Sequence, residues 1–566
     1  MDGGPLLTAT IAPRPSFAKL CALTLFALLT SFQTLCWFTF SSASKPGVKA
    51  YYGWSNADLD LILNWGPIVG LLTQLPATAL LARPGGVEHA MRLSALLMCS
   101  CCALRLIPSI SSTFREQSPS ATLALVHLAQ MLNAAAGPLL MSGPTAVSAR
   151  WFEPAHRGMA TAVAYCGSNI GSLMAFAIGP LVISDDASHV PRLLLLELAL
   201  AASLTLPTLA CLPAPPRSAS RGGEAHTSTR VVDGSPGPSH PPRPPRACDE
   251  IASGLRRARR LVWHGPLIAL AIVAGAQAGV ASAWQGVLPQ QVHLPPSPPF
   301  AHLRTPSHTF SHLKGSSHSR CISRHLHPSH TFAHLLTPYG VLPPQVAPPA
   351  FDSHTVGLLG VTNSIACLFG NLVGGKIADG LRARLGWCLA TAYAGAAVGF
   401  ALYALSQPSV LSPSPLLPLH SSAWLVAWGS LCGLCQGMAD PIAFELAAQM
   451  AEQRRRQLPT RAGQDAITSP CEHACEHACE AAASSAVGIG DPSVGDPSHG
   501  GYGGDGGTSA SGALSAGVVV ASWNIASLLL LLLAPALEDG ARSVNAAAAI
   551  ALGVCALVVA GVVRGR

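Results

Sequence analysis

The chain has 566 residues, of which 49% are apolar and 11% charged, and a formal net charge of +7. A soluble domain of ordinary make-up carries about 25% charged residues, so this composition excludes a body wetted on all sides. The positive excess does not argue for nucleic acid, because its placement along the chain gives it another meaning.

The apolar residues fall into blocks near the ~20 residues that a helix needs to cross a bilayer. The pattern predicts spans at 17–43, 59–82, 92–112, 121–148, 158–183, 192–213, 261–289, 355–378, 385–406, 421–450, 513–536 and 545–563. The first run is too long for a signal peptide and has no small-residue cleavage site after a short core, so it reads as a helix. The predicted fold is an all-α membrane protein of twelve transmembrane helices. Its parts are a cytosolic tail (1–16), a six-helix bundle (17–213), a flexible linker (214–260), a second six-helix bundle (261–563) and a short cytosolic tail (564–566). Arginines crowd one set of loops, from Arg83 and Arg92 through Arg256–Arg257 to Arg454–Arg456, while the opposite short loops hold Lys45, Lys49 and Arg115. That asymmetry places both termini in the cytosol and accounts for the net charge. The 17 cysteines lie mostly inside apolar spans (Cys99, Cys101 and Cys102, for example), as small buried side chains rather than a disulfide framework.

In the first span, "FQTLCWFTF" sets Gln33 and Trp37 one helical turn apart, on one face that lipid does not require. An interfacial anchor is the plain alternative for Trp37. Asp58 opens the second span, where an acid favours the positive helix end. Ionisable groups inside spans need a reason, and His127, Glu197 and Glu445 are three. Each is either a proton-coupling group or a buried polar residue paired for packing.

The linker is rich in Pro, Ser and Gly and builds no core. Two low-complexity insertions interrupt the second half. Residues 293–350 contain the near-repeats "PSHTFSHL" and "PSHTFAHL" among nine histidines, and 454–512 contain "CEHACEHACE". Cys471, Cys475 and Cys479 with His473 and His477 suit zinc by type, but a repeat without selected ligand geometry explains them as well. No metal site is assigned.

The phrases "LNWGPIVGLLTQLPATALL", "LRLIPS", "QMLNAAAGPLLMSGPTAVSARWFEPAHRGMATAVAY", "ASAWQGVL", "VGLLGVTNSIACLFGNLVGGKIAD" and "DPIAFELAAQM" follow one another in a telling order. In it the chain resembles the solute carrier 49 group of the major facilitator superfamily. That group holds the feline-leukaemia-virus-receptor-type haem and choline transporters and the "disrupted in renal carcinoma" type vitamin B6 exporter, and the last branch fits best. The resemblance implies two pseudo-symmetric bundles rocking about a central site. It implies substrate-binding roles for Gln33, Trp37, Asn169 and Trp284, with Trp37 and Trp284 on counterpart helices. Glu445, Glu197 and His127 match ionisable positions of that branch and become the candidates for proton coupling.

The segment "GGKIADGLRARL" keeps the superfamily's cytosolic loop signature, which assigns gating to Gly375, Asp379, Arg382 and Arg384, joined by Arg157 of "WFEPAHRG". The first-half copy has Ala82 where the branch has Asp, and His156 stands where an acid precedes Arg157. Asp2, Leu6 and Leu7 give an acidic dileucine spacing that sorting adaptors read, which favours a lysosomal or vacuolar membrane over the plasma membrane.

The expected function is a secondary active or facilitative transporter of a small organic solute, vitamin-like or a cationic amine such as pyridoxine or choline, with proton coupling left open. Its expected partners are the solute, the lipid bilayer and sorting adaptors, with no cofactor and no nucleic acid. The rivals are a metal-ion or haem transporter and a non-transporting receptor or scaffold. An ATP-driven pump is excluded by the lack of a GxxxxGK[ST] motif. An enzyme is not expected, since no nucleophile, base and orienting group occur together.

Overall fold

The computed structural model describes residues 17–42, 45–182, 187–212, 265–287, 353–406, 422–457, 506–533 and 541–564. The dileucine, the linker, and most of both insertions lie outside the described residues. Among those described, twelve helices of 21 residues or more carry the chain: α1 (Phe17–Ser42), α2 (Asn56–Leu81), α3 (Gly86–Ile110), α4 (Pro119–Met141), α5 (Arg157–Val182), α6 (Val190–Ala210), α7 (Gly265–Val287), α8 (Ser353–Gly380), α9 (Leu385–Leu405), α10 (Ser422–Gln457), α11 (Gly506–Leu533) and α12 (Ala541–Arg564). Ten of them are long and apolar enough to cross a membrane; α2 and α10 are the more polar pair.

Local chemistry sets the helix ends. Ser55 and Asp58 form a capping box at the start of α2, the Asp58 carboxylate accepting from the Ser55 backbone N–H at 2.8 Å. The span expected to run through 148 instead stops at Met141, and a short helix, Pro144–Trp151, begins anew. Pro144 has no N–H for the carbonyl one turn back, and it suits a first helical position. At the second insertion, α10 runs on to Gln457 and α11 starts at Gly506.

The two halves repeat one packing scheme. In the first, α1 packs on α5, α2 on α4, and α3 on α4 and α6; in the second, α7 packs on α11, α8 on α10, and α9 on α10 and α12. The halves meet where α5 lies on α8 and α2 on α11. Each of those contacts is the other's counterpart under the same repeat.

Where lipid supplies no drive for association, small residues let helix backbones close up. A Cβ on Gly275 would lie 2.3 Å from the Cβ of Ser522, and one on Gly279 would lie 2.6 Å from that of Ala526. Gly275→Val is therefore expected to force α7 off α11 at about 1–3 kcal/mol, the usual cost of overpacking. A thermal melt followed by size-exclusion chromatography reads this, and an unchanged midpoint would contradict the packing.

Candidate solute cavity between the bundles

A cavity sits between the halves, lined from α1 by Thr34, Trp37 and Phe38 and from α5 by Tyr165, Ser168, Asn169 and Ser172. The second half contributes Gln277, Ala278, Ala281 and Ser282 of α7, Cys367 of α8, Gln436 and Asp440 of α10, and Trp523 of α11. Its free volume is about 40 Å³.

Trp37 is held in place. Its indole N–H donates to the Leu63 carbonyl at 3.1 Å, and its ring stacks on Phe38 at 4.8 Å between centroids. Gly66 makes room for it, since a Cβ there would lie 2.5 Å from the indole nitrogen. Opposite, the Trp523 indole N–H donates to Ser282 Oγ at 3.0 Å, and its ring stands 6.5 Å from that of Tyr165. The amide nitrogens of Asn169, Gln277 and Gln436 are buried without a hydrogen-bond partner. Buried donors are nearly always satisfied, so three unmet ones lining a single cavity mark a place for acceptor atoms.

Two of the four residues assigned to the solute by resemblance, Trp37 and Asn169, line this cavity; Gln33 and Trp284 do not. Gln33 Nε2 donates to the Asn133 carbonyl at 3.4 Å, and Asn133 Nδ2 donates back to the Gln33 carbonyl at 3.2 Å, pinning α1 to α4. Four residues turn a helix by about 400°, so Gln33 sits about 40° round from Trp37 on the side away from Thr34 and Phe38, and it meets α4 instead of the cavity. The stripe that faces the cavity is Thr34, Trp37 and Phe38. Trp284 is buried behind the cavity, its N–H donating to Asn545 Oδ1 at 3.0 Å and its ring edge-on to Phe400 and Tyr403.

The three assigned ionisable residues also lie off the cavity. Glu197, 2% exposed, is ion-paired at 3.2 Å with Arg105, which is fully buried on α3. Thr39 donates to the same carboxylate, and Arg105 donates to the Cys36 carbonyl at 2.8 Å and to Gln130. Ligand atoms of Cys36, Cys102 and Glu197 lie within 4.8 Å of one another, but the guanidinium beside them opposes a cation. His127 accepts from the Trp65 indole N–H at Nδ1, 2.9 Å away. Glu445 accepts from Gln449 at 3.4 Å and feels the charges of Arg382, Asp379 and Arg157.

Three of the residues that the resemblance assigns to gating, Gly375, Asp379 and Arg382, meet the other bundle at one contact. Asp379 of α8 accepts from the backbone N–H groups of Gly158 (2.8 Å) and Met159 (3.0 Å), so it caps α5 across the interface. Arg382 donates to the Pro154 carbonyl, and Gly375 lets Ala162 approach. Arg157 donates to the Phe152 and Ala149 carbonyls of its own half, and Arg384 is exposed.

Residues 26–302 match the profile of the Major Facilitator Superfamily. Over 96% of its length the chain also superposes, with a TM-score of 0.53 and 10% identity, on 99% of a crystal structure of the facilitator FucP in the outward conformation. Over residues 26–302 the chain resembles the major facilitator superfamily, and its helices follow that fold. The chain is also 34% identical over 181 residues to the Solute carrier family 49 member 4 homolog of Xenopus tropicalis and 32% identical to that of Xenopus laevis. Each match covers 32% of this chain and 36% of the relative, so the chain spans about a third of the length of these curated relatives.

Sequence reasoning missed Gln277, Gln436, Trp523 and Asp440. Asp440 was visible as an acid before a proline inside an apolar run; the amides carried no comparable signal. It missed Arg105 as well, an arginine in the middle of the third apolar run.

Proposed function

We propose that the chain is a secondary transporter that moves a small organic solute, vitamin-like or a cationic amine such as pyridoxine or choline, by alternating access. The cavity carries this reading: unmet amide donors from both halves converge there, between the Trp37 and Trp523 rings. Loading and release then require the halves to part by turns on either side of the cavity. In this reading Trp37 and Asn169 bind the solute, while Gln33 and Trp284 brace α1 and α7 behind it. Asp379 and Arg382, with Gly375 and Arg157, hold one face shut. A lysosomal or vacuolar membrane is the proposed location, reached through adaptors at Leu6 and Leu7, with the plasma membrane as the alternative.

Radiolabelled pyridoxine and choline flux tests the reading, in cells whose copy carries Leu6→Ala and Leu7→Ala for surface expression. Trp37→Ala is expected to cut flux roughly tenfold or more at equal surface level, since an indole face over a desolvated cation is worth up to about 2 kcal/mol, and Trp37→Phe to keep part of it. Equal flux in Trp37→Ala would remove Trp37 from the pathway.

A further inference from the structure

Asp440 presents a carboxylate to the cavity and has no hydrogen-bond or ion-pair partner among the described residues. The next residue is Pro441, which leaves the Gly437 carbonyl without its helical N–H. The titratable groups that face Asp440 are Tyr165 from α5, Cys367 from α8 and Tyr393 from α9. α7 and α11 contribute Gln277 and Trp523, and the short helix Pro144–Trp151 contributes nothing to the cavity. Among the described residues no Lys, Arg or His lines it, and Glu445 on the same helix is directed to the charges of Arg382, Asp379 and Arg157.

A lone carboxylate inside a membrane-spanning bundle is costly. A proton on its oxygen relieves that cost, and so does a cation against it, and both need the same oxygens. We propose that Asp440 is an exchange site, holding either a proton or the positive group of an organic cation, so that the two cross the membrane in opposite directions. A monovalent cation that binds protonated Asp440 releases one proton on its own side; a proton binding from the other side displaces the cation there. The rings of Trp37, Tyr165 and Trp523 wall the cation, and the amides of Asn169, Gln277 and Gln436 take oxygen substituents on it. The inference rests on the transport reading and adds the residue and the sign of coupling.

The test uses the full chain in proteoliposomes with a trapped pH dye, and radiolabelled choline (a fixed cation) beside pyridoxine. For the wild type, an inside-acid gradient is expected to speed choline uptake at least severalfold, outside acid to slow it by competition, and each choline entering to take one proton out. Asp440→Asn is expected to abolish the response to the gradient, and Asp440→Glu to restore part of it. A purely structural role would lower flux and leave its pH response intact. Choline uptake that outside acid stimulates would overturn the exchange, as would an Asp440→Asn protein with the wild-type pH response. Pyridoxine moving without choline would overturn this inference and leave the transport reading standing, whereas no movement of either probe would overturn both.

Discussion

Arg105→Leu is expected to leave little folded protein, and Glu197→Leu added to it is expected to bring most of that protein back. Both residues are buried at the centre of the first bundle, where α1, α3, α4 and α6 meet, and they are paired at 3.2 Å. Removing one partner of such a pair costs about 3–5 kcal/mol, because an uncompensated charge stays behind, while replacing both with apolar groups is often near neutral. Against the 5–15 kcal/mol that holds a typical domain together, the single change is close to fatal. The double variant forgoes the bonds from Arg105 to the Cys36 carbonyl and to Gln130 and the Phe40 ring contact at 5.0 Å. It keeps the bonds from Thr39 to the Leu35 carbonyl and from Gln130 to the Trp37 carbonyl. The yield of monodisperse protein and its thermal midpoint decide the matter. A single variant as stable as the wild type would mean that the charges are not buried together, and a double variant no better than the single would mean that shape rather than charge matters there. Because Gln130 and Thr39 also hold the stretch of α1 that carries Trp37, this network sets one wall of the cavity from behind.

Asp379→Ala is expected to separate the two halves on the face that carries the basic residues. The wild-type carboxylate accepts two backbone N–H groups at the start of α5 from the other bundle. Hydrogen bonds to a charged group contribute about 1.5–3 kcal/mol each, and the positive end of α5 adds to them. Losing about 3 kcal/mol shifts an open–closed equilibrium roughly a hundredfold. Spin labels at the exposed Ala155 and Ala383, in a background without reactive cysteines, are expected to show a longer distance in the variant. An unchanged distance would mean that the tie does not hold the face shut. Asp379→Asn keeps an acceptor without the charge and should fall between the two. The symmetry-related contact has no such acid: Ala82 takes that place, and Thr145 Oγ1 donates to the Gly512 carbonyl at 3.2 Å instead. Closure on this face therefore depends chiefly on one side, which is why a single substitution is expected to show so large an effect.

Much of the fold was legible in the sequence because span length and charge asymmetry are properties of the chain's own chemistry against a bilayer. The blocks around Phe17–Ser42 and Leu385–Leu405 fell where helices form, since an apolar run of that length has few other stable states in lipid. The cap at Ser55 and Asp58 is local and was readable for the same reason. The break at Pro144 was missed because a hydropathy window averages across a single proline. The site was half legible. Trp37, Asn169 and Asp379 were singled out through the resemblance, but which way Gln33 and Trp284 turn depends on helices far off in the chain.

By itself, then, the sequence determined a membrane chain of two six-helix halves with one basic face, through residue type and run length alone. Only the tertiary structure decided which ionisable groups are spoken for. Arg105 and Glu197 come together across 92 residues of chain, and the Trp65 indole meets His127 across 62. Asp440 meets no partner at all among the described residues. The physical reason is that burial makes a charge's partner the decisive fact about it, and that partner is chosen by helix packing between distant segments, which no local pattern records.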